Sequence, residues 1–256
     1  MNSGTITKTC TRCTADFQAE ADSWGSICDP CEEKDNREHE EARLAKLSAD
    51  RERSLDRNLV ILRNQLTKGV PSLFLATDRS HPAFNLVRLR DIASFSPSPD
   101  KPWLGLIGTA GKCKSRIAYL LAADYLVTKV TAVSVPTFEF VAGYQIIHAV
   151  SQLTNFTVNR LSSATFAEEA RAYLHSLATA DLVIIDDIGK GGMPPSLATE
   201  MLAILDRRYA NQRPTIWTSN STPQEIAAGM RGDLVDDMRG PFAGRLISSS
   251  KIYQFK

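Results

Sequence analysis

The eight residues Gly108-Thr-Ala-Gly-Lys-Cys-Lys114-Ser115 decide how this chain is read. They lie between the apolar run Trp103 to Ile107 and the helix-like stretch Arg116 to Leu126. They fit G-x-x-x-x-G-K-[ST] at every fixed position except one, where Cys113 stands for the second glycine. In such a loop, backbone N–H groups and the N-terminus of the next helix face phosphates, the lysine reaches the β/γ oxygens, and the hydroxyl binds Mg²⁺. Gly108, Thr109, Ala110, Gly111, Lys112, Cys113, Lys114 and Ser115 are therefore candidate nucleotide-binding residues; taken alone, the stretch is also compatible with a Gly/Lys-rich turn. The second glycine normally supplies torsions that are costly for a residue with a Cβ. Cys113 is thus expected to weaken nucleotide binding or retune the loop.

Two further runs keep the loop from standing alone. Leu182-Val-Ile-Ile-Asp186-Asp187 is a continuous apolar run closing on two carboxylates, as a buried parallel strand does. It reads as a Walker B strand, with Asp186 in the Mg²⁺ shell and Asp187 placed to orient water or accept a proton. Pro214-Thr-Ile-Trp-Thr-Ser-Asn220 is a second β-rich run ending on a polar group, and Asn220 is the candidate sensor. Leu197 to Asn211 carries apolar residues at helical spacing, with Arg207, Arg208 and Arg213 near its end, where the helix dipole favours cations. Alternating strands and helices predict an α/β fold with a parallel sheet covered on both faces.

With these residues in view, the chain resembles a known group. The strings Leu182 to Lys190 and Asp206 to Asn220, with Gly244-Arg-Leu near the end, are similar to the AAA+ ATPases of the DnaC/DnaI helicase-loader and IstB transposition-helper group. Gly69 to Asp78 resembles the short lead-in before their ATPase core. The resemblance covers residue 66 onward and implies a P-loop AAA+ (ASCE) sheet with helices on both faces and no helical lid. It implies that Lys114 and Ser115 bind the phosphates and Mg²⁺ of ATP, and that Asp186 and Ser115 are the magnesium ligands. Asp187, Asn220 and Arg245 would be the catalytic residues, Arg245 as an arginine reaching a neighbouring subunit's nucleotide. Arg239 is a second candidate for that role, and a surface arginine in a turn is the plainer reading of Arg245. The implied function is an ATPase that loads a replicative DnaB-type helicase onto single-stranded DNA, self-associating through its ATP interfaces, with activity weakened by Cys113. Two alternatives stay open: an IstB-like helper of a transposase, and a nucleotide-binding adaptor with little or no hydrolysis.

The second informative feature is Cys10-x2-Cys13, fourteen intervening residues, and Cys28-x2-Cys31. Two such knuckles give four thiolates able to surround one tetrahedral Zn²⁺. Disulfides are the disfavoured alternative, since no signal peptide precedes the cysteines and an ATPase core belongs in a reducing cytoplasm. So short a segment, with Phe17, Trp24 and Ile27 as its large apolar residues, folds on metal binding, which supplies roughly 10 kcal/mol or more. In the group it resembles, a small N-terminal zinc domain is the DnaI-type pattern and contacts the helicase. Asp16, Glu20, Asp22, Asp29, Glu32 and Glu33 make this segment acidic, which suits a protein partner better than phosphate.

The resulting plan is a zinc-binding domain over residues 1–34, a charged helical linker over 35–65 and an AAA+ domain over 66–256. The linker's early part is too polar to bury a face, while Leu55, Leu59, Ile61, Leu62 and Leu66 begin an apolar stripe. The net charge of +1 gives no global steering towards DNA, and no apolar stretch is long enough to span a membrane. Ser96 to Pro102 reads as a loop, Lys129 to Val135 as a strand and Thr137 to Leu153 as a helix. Arg160, Arg171 and His175 lie where relatives handle single-stranded DNA, but no site is assigned, and His148 and His175 read as surface or core histidines.

Overall fold

The computed structural model describes residues 5–20, 25–77, 80, 92, 96–154, 164–190, 192–230 and 236–255. Asp22, Trp24, Asp78 and Arg160, singled out above, lie outside them. The chain divides into two compact units, Met1–Asp56 and Arg57–Lys256.

In the first unit β1 (Thr5–Thr9) and β2 (Asp16–Glu20) pair antiparallel, with Thr5 opposite Glu20 and Thr9 opposite Asp16. Their residues are exposed or half-buried, so the hairpin has no apolar core of its own; Cys10 and Cys28 are the buried positions beside it. Helix α1 (Asp29–Thr67) begins at the second cysteine knuckle. Its polar early turns are laced by ion pairs one turn apart: Lys34–Glu38 at 3.8 Å, Glu40–Arg43 at 2.6 Å, and Asp50–Arg53. Such pairs support a helix that has little surface to bury.

The second unit is built on β3 (Trp103–Gly108), β4 (Phe138–Ala142), β5 (Leu182–Asp186), β6 (Thr215–Ser219) and β7 (Ser250–Phe255), all parallel, in the order β4-β5-β6-β3-β7. Around it run α2 (Ser72–Leu75), α3 (Lys114–Val127), α4 (Gly143–Thr154), α5 (Ala164–Thr179), α6 (Pro195–Ala210), α7 (Pro223–Ala228) and α8 (Asp236–Ser249). Both faces are covered, so alternate strand residues enter two different cores. Leu104, Leu106, Phe140, Ile184 and Ile216 join Ile117 and Leu121 of α3 and Leu62 and Leu66 of α1. Trp103, Ile107, Val141, Ile185 and Trp217 join the apolar faces of α4, α5, α6 and α8. Gly105 gives Trp217 room: a Cβ there would lie 2.4 Å from the indole, whose Nε1 donates to Ser250 Oγ at 2.9 Å.

Three of the strands fall where the sequence places them, and one does not. Lys129–Val135 is not a strand, and the helix does not start at Thr137; β4 occupies 138–142 and α4 follows at Gly143. Thr131 and Ser134 close a local turn instead, Thr131 N–H donating to Ser134 O at 3.0 Å and Ser134 N–H to Thr131 Oγ1 at 3.0 Å. Side-chain bonds of this kind compete with a ladder, and Pro136 has no N–H to offer one. Val133 is left 93% exposed, while the Phe138-x-Phe140 alternation takes the sheet position. Thr137 N–H and Oγ1 donate to Asp181 Oδ2 at 2.8 and 2.9 Å, setting β4 beside β5.

Arg208 lies in the last turn of α6, as its helix-end reading has it, and has a second role there. It is fully buried, donating from Nε to Thr215 Oγ1 and from its terminal nitrogens to Leu177 O, Ala180 O and Pro214 O. One side chain thereby satisfies carbonyls at the end of α5 and at the entry to β6. Among the described residues no helix is long and apolar enough to cross a membrane.

Candidate nucleotide site and metal centre

The phosphate loop leaves β3 at Gly108, where φ is 148° and a Cβ would lie 2.3 Å from Phe255 O. Glycine is required there because β7 abuts the loop's first residue. At the other end, Cys113 caps α3 in the left-handed region, with φ 57° and ψ 19°. The backbone thus takes the conformation that the motif's glycine normally supplies, against a cost of about 1–2 kcal/mol for a residue with a Cβ. Ile117 N–H donates to Cys113 O at 3.0 Å, so the helix begins at this residue.

Lys114 is buried, and its Nζ donates to Gly108 O at 2.7 Å, Thr109 O at 2.9 Å and Asn220 Oδ1 at 2.9 Å. The loop lysine and the residue after β6 are therefore in direct contact. Burial pushes the Lys114 pKa down, partly opposed by Asp187 and Asp186. Asp186, at the buried end of β5, accepts from Thr218 Oγ1 at 2.6 Å. Burial raises its pKa, the hydroxyls of Ser115 and Thr218 oppose that, and Asp187 adds to it. A desolvated carboxylate beside the Ser115 hydroxyl fits the hard oxygen ligands that Mg²⁺ takes.

Asp187 has φ 56°, a conformation aspartate tolerates better than most residues. Its N–H donates to Thr218 Oγ1 at 3.0 Å, and its Oδ2 lies 3.2 Å from Lys190 Nζ. Loop residues Ala110 to Ser115, with Asp187 and Asn220, line a cavity of about 340 Å³; Gly108, Thr109 and Asp186 do not line it, and its remaining lining is Leu73, Phe74, Arg116 and Lys190. These last four were not singled out from the sequence. Arg116 immediately follows the loop serine and donates to Thr77 Oγ1 at 2.8 Å, while Phe74 lies with its ring 6.0 Å from that of Phe140. Position next to the motif, and membership of the lead-in segment, were the available signals.

Arg245 does not line this cavity. It projects from α8 onto α6, with Nε and a terminal nitrogen 2.8 and 2.7 Å from Asp206 Oδ1 and its guanidinium 4.2 Å from the centre of the Tyr209 ring. Arg239 is tied to Met230 O at 2.8 Å and to Asp236 at 2.6 Å. His148 and His175 are exposed on α4 and α5, in keeping with surface histidines.

In the first unit the sulfurs of Cys10, Cys13, Cys28 and Cys31 all lie within 4.8 Å of one another, with Cys13 and Cys28 3.6 Å apart. A tetrahedral zinc with Zn–S bonds of about 2.3 Å has sulfur–sulfur edges of about 3.8 Å, so the cluster fits such an ion. Backbone N–H groups of the knuckles face the sulfurs, and the Cys28 N–H donates to Cys10 Sγ at 3.4 Å. Bonds from the Cys13 and Cys28 backbone hold the Cys10 thiol down at about 6, whereas the neighbouring Cys13 and Cys28 thiols push Cys31 up to about 12. Four thiols so close cannot all ionise unless a cation joins them.

No protein-family profile and no curated protein matches the sequence. Solved structures match by shape. A crystal structure of DnaI aligns at 17% identity with a TM-score of 0.50, covering 76% of this chain and 90% of that one. The DnaC helicase loader aligns at 18% identity and a TM-score of 0.46, over 67% and 88%. AMPPCP-bound DnaA from Aquifex aeolicus aligns at 12% identity and a TM-score of 0.46 over 66% of this chain, which spans 44% of that protein. At such identities the likeness is one of fold, a five-stranded parallel sheet with its helices; near its N-terminus this chain carries the four-cysteine cluster.

Proposed function

We propose that this protein is a cytoplasmic AAA+ ATPase that loads a replicative DnaB-type helicase onto single-stranded DNA, with a structural Zn²⁺ in its N-terminal unit. One observation carries the nucleotide part of the reading. Lys114 bonds Asn220, Asp186 bonds Thr218, and Asp187 donates its N–H to the same Thr218 oxygen. Thr218 within β6 and Asn220 just beyond it thus draw the carboxylates and the loop lysine together at the C-terminal ends of three strands, where ligands of open α/β sheets bind. When bound, Mg²⁺ supplies charge to the phosphates; Asp186 and Ser115 are the residues that would hold it.

The remaining roles follow from this chain's own groups. Lys114 exchanges the Gly108 and Thr109 carbonyls for phosphate oxygens. Asn220 and Asp187 orient the attacking water, Asp187 accepting its proton. Arg245 acts on a neighbouring copy's nucleotide only by leaving Asp206 and Tyr209, so self-association and release of that contact go together. The helicase partner is supported by the DnaI-like fold and by the acidic character of the cysteine-bearing segment, a poor phosphate ligand but a serviceable protein-binding surface.

The test is retention of a replicative helicase on the full-length protein with Mg²⁺-ATP, beside Lys114→Ala and Cys28→Ser variants, followed by transfer of the helicase to single-stranded DNA. Binding lost in Cys28→Ser and transfer lost in Lys114→Ala are the expected results. Retention of a transposase in place of the helicase would favour the IstB-like alternative. Cys113 specifically favours the adaptor alternative, for which nucleotide binding without turnover is the signature.

A further inference from the structure

Lys190 reaches the same cavity as the phosphate loop, and the backbone fixes how it gets there. Ile188 is buried and clamped to β6: its N–H donates to Thr218 O at 2.9 Å, and its carbonyl accepts from Ser219 Oγ at 2.7 Å. On either side, Asp187 and Gly189 have φ of 56° and 86°. The chain therefore turns back, bringing Lys190 N–H to Asp187 O at 3.3 Å and its ammonium to Asp187 Oδ2 at 3.2 Å. A short, clamped turn holds this cation against the carboxylate.

Among the described residues four cations line the cavity, Lys112, Lys114, Arg116 and Lys190, against one carboxylate, Asp187. Lys114 is already bonded to Gly108, Thr109 and Asn220, and Arg116 to Thr77. Among the described residues Lys190 pairs with the Asp187 carboxylate, and its side chain is 73% exposed against 32% for Asp187. A pair this open contributes about 0–1 kcal/mol. A competing anion with more charge and more acceptor oxygens displaces it easily. The terminal phosphate of a nucleoside triphosphate is such an anion, and a diphosphate lacks it.

We infer that Lys190 is the residue by which this site distinguishes a nucleoside triphosphate from a diphosphate. It neutralises Asp187 while no terminal phosphate is present and transfers to that phosphate when it arrives, uncovering Asp187 for the attacking water. The inference rests on the nucleotide reading above and adds a specificity-determining residue to it. Availability of Asp187 is then tied to occupancy of the γ position, which keeps the carboxylate covered once the diphosphate is left.

Calorimetric titration of the full-length protein with Mg²⁺-ATP and with Mg²⁺-ADP tests this, alongside Lys190→Gln, Lys190→Arg and Lys190→Glu. Lys190→Gln should weaken ATP roughly threefold to tenfold, as loss of one charge-assisted contact at a partly solvated site does, and leave ADP within about twofold. Lys190→Arg should keep most of the preference for ATP. Lys190→Glu, with a second carboxylate beside Asp187, should lose more ATP affinity than Gln does. A purely structural role for Lys190 would shift both nucleotides together, so an unchanged ATP-to-ADP ratio in Lys190→Gln overturns the inference. If the native protein binds neither nucleotide, the site itself is refuted; if it binds both and the variant keeps the ratio, only the role of Lys190 falls.

Discussion

Replacing Cys113 by glycine asks how much the phosphate loop gives up by carrying a side chain at φ 57°, ψ 19°. The left-handed conformation costs a residue with a Cβ about 1–2 kcal/mol. Glycine removes that cost but adds unfolded-chain freedom of about 0.4–1 kcal/mol. It also deletes a half-buried CH₂–SH packed against the core under α3, a loss of up to about 1 kcal/mol. These effects oppose one another, so urea unfolding of Cys113→Gly should fall within about 1 kcal/mol of native. Nucleotide titration separates them. Strain present in both free and bound loops cancels, whereas strain that the free loop sheds opposes binding, so affinity for Mg²⁺-ATP should rise by up to about tenfold, equivalent to about 1.4 kcal/mol. Cys113→Ala keeps the Cβ at the same φ and should behave as native. Cys113→Val adds a branch where a β-branched residue is an outlier, and should bind less tightly. An alanine variant that gains as much as glycine would place the effect in the sulfur and refute the backbone argument, as would full tolerance of valine.

Three further outcomes follow from other parts of the molecule. Mild purification should yield near-stoichiometric Zn²⁺ by metal analysis, and chelation or Cys28→Ser should abolish it and unfold the cysteine-bearing hairpin while the second unit keeps its thermal transition. Arg208→Ala leaves the carbonyls of Leu177, Ala180 and Pro214 without their buried donor and should cost about 3 kcal/mol or more in chemical denaturation. Thr222 N–H and Oγ1 donate to Glu225 Oε2 at 2.7 and 3.0 Å, closing a capping box at α7, and the backbone bond leads in holding the Glu225 pKa below its usual value. That stabilisation is full above the ordinary carboxylate pKa and is lost as pH falls through the lowered one, so Glu225→Gln should lack this part of the acid limb in unfolding measured across pH.

The parts of the candidate site legible in the sequence are those that directly follow a strand. Trp103–Ile107 and Leu182–Ile185 are short apolar runs and Thr215–Ser219 a β-rich one, each followed closely by candidate site residues, so strand assignment and site assignment come together. The strand at Phe138–Ala142 escaped because Lys129–Val135 is also rich in β-branched residues, and only the Thr131–Ser134 turn and Pro136 decide against it. The partners of Arg208 and Arg245 are not legible for a different reason. Helical spacing shows which residues share a face, but not that one face meets carbonyls at the end of α5 and the entry to β6, or that Asp206 and Tyr209 would hold an arginine from α8. Lys190 depends on a left-handed turn at Asp187, and a non-glycine residue announces no such turn.

Strand order explains why the two charged halves of the site behave as they do. Because β6 lies between β3 and β5, the strands that carry the loop and Asp186 are two strand spacings apart, roughly 10 Å. Thr218, within β6, bonds to Asp186, and Asn220, just beyond its end, to Lys114, so neutral groups stand where an ion pair would otherwise form. Both charges are desolvated and neither is paired with the other, which is why burial lowers the pKa of Lys114 and raises that of Asp186. An anion against the lysine or a cation against the carboxylate alone would relieve one penalty and leave the other. A phosphate chain carrying a divalent cation relieves both at once, and that pairing is what this sheet order leaves room for.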